Sequence, residues 1–153
     1  MKLSFISDDI INMGLRQLGA TEIKSMSATL NIVKFKMPNG EDIIYLYEVK
    51  ETGSIYLQRV EPYRKMLAKL FDEHNVVMAI KNDLEAFLNA YKSKNYETFI
   101  SISKSMGLLD TILEEIFFMY NVDSEDLLEL KFLVDDVHNE LKRVQETSKR
   151  LER

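Results

Sequence analysis

From residue 29 to residue 60 apolar side chains recur at every second position, and from residue 61 onward at every third or fourth. A strand sends successive side chains to opposite faces, whereas a helix gathers every third and fourth onto one stripe. This one change of period makes the first part of the chain a sheet and the second part helical, and so predicts an α+β fold. A length of 153 residues suits a single domain over 1–153, with 1–60 as helix plus β-meander, 61–122 as helical bundle and 123–153 as one long helix.

The β part reads as three antiparallel strands over 29–37, 42–50 and 54–60, joined by turns at Pro38-Asn39-Gly40 and Glu51-Thr52-Gly53. A two-residue turn at Asn39-Gly40 would pair Phe35 with Ile44 and Val33 with Leu46 on one face, and Ile32 with Tyr47 and Lys34 with Tyr45 on the other. Neither face is polar throughout, so Tyr45, Tyr47 and Tyr56 read either as core or as a contact surface. Before the meander, Ile10, Ile11, Leu15 and Leu18 form a helical stripe over 8–18, behind a Ser7 or Asp8 cap and ended by Gly19. A further short strand at 3–6 or 22–26 is the alternative use of the flanking residues.

In the helical part, Tyr63, Met66, Leu67, Leu70 and Phe71 predict a first helix after Pro62, and His74-Asn75 a break. Val77, Ile80, Leu84, Phe87, Leu88 and Tyr91 form the next stripe. Tyr96, Phe99, Ile100 and Met106 form another, ended by Gly107, and Leu109, Ile112, Leu113, Ile116, Phe117 and Tyr120 a fourth. The final helix begins at an Asp123 cap.

That final helix carries the most regular pattern in the chain. Leu127, Leu130, Val134, Val137, Leu141, Val144, Ser148 and Leu151 follow alternating steps of three and four, the heptad seam of helices that pair. Residues 123–140 carry seven acids against Lys131, a net of −6, while 141–153 carry five bases against two acids, a net of +3. Two copies laid antiparallel set unlike charges side by side; a parallel pair stacks like charges. The sequence therefore predicts a homodimer with Val137, Leu141, Val144, Ser148 and Leu151 as contact residues, against the alternative that the seam packs within its own chain.

Composition narrows the remaining classes. The chain has no Cys, hence no disulfide, thiol nucleophile or thiolate metal site, which fits a reducing, cytoplasmic setting. Its first apolar stretch meets Asp8 and Asp9 too soon for a secretory signal, and its apolar runs are far shorter than a membrane span. A net charge of −5 disfavours nucleic acid, whose non-specific affinity comes from Lys and Arg on phosphates.

No catalytic signature emerges. Asp135 and His138 share a helical face and match half of the Glu-x-x-His pattern of di-iron bundles, but the other His, His74, has Phe71 three residues before it. Gly14 and Gly19 have phosphate-loop spacing, yet Ala20 stands where Lys is required. Residues 87–106 resemble one tetratricopeptide hairpin, without the repeat that an array needs. No catalytic residue, cofactor or metal is expected. The leading reading is a non-enzymatic interaction or regulatory adaptor that self-associates and engages an unidentified protein partner. The alternative is a small-ligand binding or sensor module, less readily a carboxylate-based enzyme, with eight Met and seven Tyr lining a pocket between sheet and helices.

Overall fold

A computed structural model describes residues 4–150, with side chains from residue 9. The elements run α1 (Ser4–Gln17), β1 (Ala28–Lys36), β2 (Asp42–Lys50), β3 (Ile55–Glu61), β4 (Lys65–Leu70), α2 (Glu73–Tyr91), α3 (Tyr96–Met119) and α4 (Ser124–Thr147). The chain is α+β, with one antiparallel sheet in the order β1-β2-β3-β4. It divides into two units, Met1–Ile100 and Ser101–Arg153.

The sheet has four strands, not three. The segment read as a first helix after Pro62 is β4, whose Ala68 pairs with Leu57 and Met66 with Gln58. A register shift between Leu57 and Gln58 breaks the two-residue alternation along this short strand, so its apolar residues mimic helical spacing. His74-Asn75 is likewise no break: it lies in the first turn of α2, where the Asp72 carboxylate accepts the Asn75 backbone N–H at 3.1 Å. Residues 22–26 form no strand, and α1 already includes residues 4–6.

The β1–β2 register also differs by one residue from a two-residue turn. The backbone N–H of Met37 donates to the Glu41 carbonyl at 2.8 Å, so the hairpin closes around three residues, with Gly40 at φ +86°. Phe35 therefore opposes Ile43 and Val33 opposes Tyr45, while Ile32 opposes Leu46 on the other face. A one-residue slip exchanges faces. Tyr45 consequently enters the core, Tyr47 is half-buried beside it, and Tyr56 stands on the opposite face with the Lys50 and Lys69 ammonium groups over its ring. The tyrosines thus form no single cluster.

In the first unit the core joins Met37, Ile43, Tyr45, Ile55 and Leu57 of the hairpin and strands to Val76, Ile80 and Phe87 of α2 and to Tyr96 and Ile100 at the start of α3. Tyr63, Phe87 and Phe99 meet with ring centroids 6.0 to 6.5 Å apart. Residues 96–119, read as two helices parted at Gly107, are one. A glycine ends a helix by turning left-handed, as Gly19 does at φ +96°; Gly107 has no positive φ, and its carbonyl accepts the Thr111 hydroxyl one turn on.

In the second unit, every described residue from Leu128 onward is exposed. Ser103 and, close to the α3–α4 connection, Ile116, Val122 and Leu127 are half-buried.

Candidate functional site

The residues expected to make a dimer contact lie on α4, a 24-residue helix with no buried residue. Val137, Leu141 and Val144 share one stripe with Leu130 and Val134 and are 44 to 57% exposed. Ser148 stands just beyond the helix in an extended conformation, its N–H capping back to the Val144 carbonyl, so the helical part of the seam ends at Val144. Leu151 lies outside the described residues. Around the rest of α4, Leu128, Phe132 and Leu133 are more than half exposed as well. A helix apolar on several sides departs from the single stripe of an ordinary surface helix.

Continuity of α3 uncovers a second seam. Ile102, Met106, Leu109, Leu113 and Ile116 follow the same steps of four, three, four and three; all but the half-buried Ile116 are exposed. This pattern is present in the sequence and passes straight through Gly107; it is hidden only when Gly107 is taken as a stop.

The charges of α4 are partly spent within the helix. Lys131 pairs with Asp135 and Arg143 with Glu140, which holds the Glu140 carboxyl below its usual range and raises the Arg143 guanidinium. Asp135 thus has a lysine partner one turn away. Among the described residues no three His, Cys, Asp or Glu side chains come together as a metal site. No helix among them is long and apolar enough to cross a membrane.

The first unit holds a buried polar cluster, of which strand alternation points to one member, Arg59. Arg59 falls in the inward phase of β3, in step with Ile55 and Leu57, and is 1% exposed. Its Nη1 donates to both Asp83 carboxylate oxygens at 2.8 and 2.9 Å, its Nε donates to the Tyr63 carbonyl at 3.3 Å, and the Tyr45 hydroxyl donates to Asp83 at 2.9 Å. The guanidinium lies over the Tyr63 and Phe87 rings, 4.3 and 4.5 Å from their centroids. Burial, then the Asp83 charge, pushes the Tyr45 hydroxyl well above the usual tyrosine range. Nη2 of Arg59 is buried without a hydrogen-bond partner among the described residues. Its geometry is that of a structural clamp tying β2 and β3 to α2.

Beside it, an apolar groove of about 580 Å³ runs between the inner face of β1–β3 and α2. Val33, Phe35 and Tyr47 floor it, Val76 and Ile80 wall it, and Glu73 and Lys81 stand among its lining. Its surface is mostly apolar, and Glu73 and Lys81 are the charged side chains in its lining.

Comparison with known protein families, with curated proteins and with solved structures finds no match to this chain.

Proposed function

We propose that the protein is a non-enzymatic interaction or regulatory protein that self-associates through its C-terminal helix and works as a homodimeric adaptor. The observation that supports this reading is the stripe Leu130, Val134, Val137, Leu141 and Val144, every member of which is 39% exposed or more. Burying such a stripe against a partner yields roughly 25 cal/mol for each Å² of apolar surface removed from water. The separation of acidic start from basic tail along α4 favours an antiparallel approach of its partner. A cytoplasmic setting fits a sequence without cysteine.

The test is native mass, read by mass spectrometry and by sedimentation over a range of concentrations. The full chain is expected to run as a dimer, and the Val137→Asp/Leu141→Asp variant as a monomer with an unchanged first unit, because both side chains are already exposed within one chain. A monomeric parent, or a dimer indifferent to both substitutions, overturns the proposal.

A further inference from the structure

Resting on that reading of self-association, we infer that the surface which α4 engages is α3 of a second copy, each chain exchanging its C-terminal helix with the other. Pairing α4 with α4 leaves the contact short. Centred between Val137 and Leu141, that register sets Val134 against Val144 and then calls on Ser148 to meet Leu130, yet Ser148 is extended and outside the helix. The α3 seam has no such defect.

Laid antiparallel about the midpoint of Asn121 and Val122, the two seams coincide layer by layer. Ile116 meets Leu127 at the same distance from that midpoint, Met106 meets Val137, and Ile102 meets Leu141 at the far end. With the heptad assigned from the three-then-four steps, every layer places an a residue against a d residue, as antiparallel pairing of two seams requires. The flanks agree. At the level between the Leu113 and Leu109 layers, Asp110 stands opposite Lys131 on one side and Ile112 opposite Leu133 on the other. Acids such as Glu114 and Glu129 fall on the outer faces, so no like charges oppose across the seam.

Both seams are exposed beyond Ile116 and Leu127 within the single chain, so the chain alone leaves them apart. A second copy satisfies both at once. The exchange is isologous, since the contact α3 makes with the partner's α4 is repeated by α4 with the partner's α3. It closes into a four-helix arrangement that also shelters the apolar flank of Ile112 and Leu133.

The absence of native cysteine makes the test direct. Met106→Cys and Val137→Cys are introduced together and singly into the full chain, and oxidised with copper-phenanthroline at micromolar concentration. The double variant is expected to form a covalent dimer at least tenfold faster than either single variant, because neither residue meets its own copy in this register. Parallel native mass separates the failures. An intrachain disulfide overturns exchange whether the native mass is that of a dimer or a monomer, and in a monomer it overturns self-association as well. A dimer that gains no disulfide overturns the α3–α4 contact and leaves the α4–α4 arrangement standing. A monomer without disulfide overturns both.

Discussion

Residues 28–100 and 101–150 draw on similar amino acids to opposite ends. In the first stretch the sheet turns Ile43, Tyr45, Ile55 and Leu57 inward and α2 returns across them with Val76, Ile80 and Phe87. In the second, two helices carry comparable numbers of Leu, Ile, Val and Phe, and none of these residues is buried. The difference lies in connectivity. A four-stranded meander brings side chains distant in sequence onto one face, where a single following helix can cover them, whereas α3 and α4 leave their seams exposed. A self-contained core and open apolar seams thus occupy different stretches of one polypeptide.

The contrast is broken most severely at the clamp. Asp83→Ala leaves the Arg59 guanidinium buried and uncompensated, and is expected to cost about 3–5 kcal/mol in urea or thermal unfolding. That loss should not depend on protein concentration, unlike any loss caused by substitutions on the α4 seam. Replacing both partners, as Arg59→Met with Asp83→Leu, should recover most of it.

A smaller effect is expected of Tyr45→Phe. Losing the hydrogen bond to Asp83 should cost about 1 kcal/mol near neutral pH. The pH profile is the sharper reading. Because folding raises the Tyr45 hydroxyl above its unfolded value of about 10, its contribution is fully present below pH 10 and is lost as the pH climbs beyond it. The parent should therefore lose stability more steeply above pH 10 than the Phe variant; equal slopes would remove Tyr45 from the account.

Gly107→Ala should give the smallest change and of opposite sign. A Cβ there meets nothing within 4 Å, and alanine in a helix interior gains about 0.5–1 kcal/mol over glycine. Slower amide exchange over residues 101–119 would register it, and faster exchange would mean that α3 bends at that point in solution.

Much of this architecture is legible in the residues themselves. The places of both glycine turns, the α+β order and the start of α4 after Asp123 are readable locally, although the first turn closes one residue wider than two and the Asp123 side chain makes no capping hydrogen bond. What escapes is non-local. Nothing in residues 65–70 says that β3 has an unpaired edge waiting for them, and Gly107 carries no local sign that its backbone stays helical. The clamp is half visible: alternation places Arg59 inward, but its partner Asp83 lies 24 residues away on α2. The α3 seam is written in full and needs only an uninterrupted helix to be seen.

One feature of the first hairpin reaches beyond its own turn. Closing around Pro38, Asn39 and Gly40 fixes the parity of β2: odd-numbered residues face α2 and even-numbered ones face away. The loop behaves as a one-bit selector. Shortened by a residue, it would offer Ile44 and Leu46 to the interior and turn Tyr45 outward, dismantling the clamp without altering any residue that forms it.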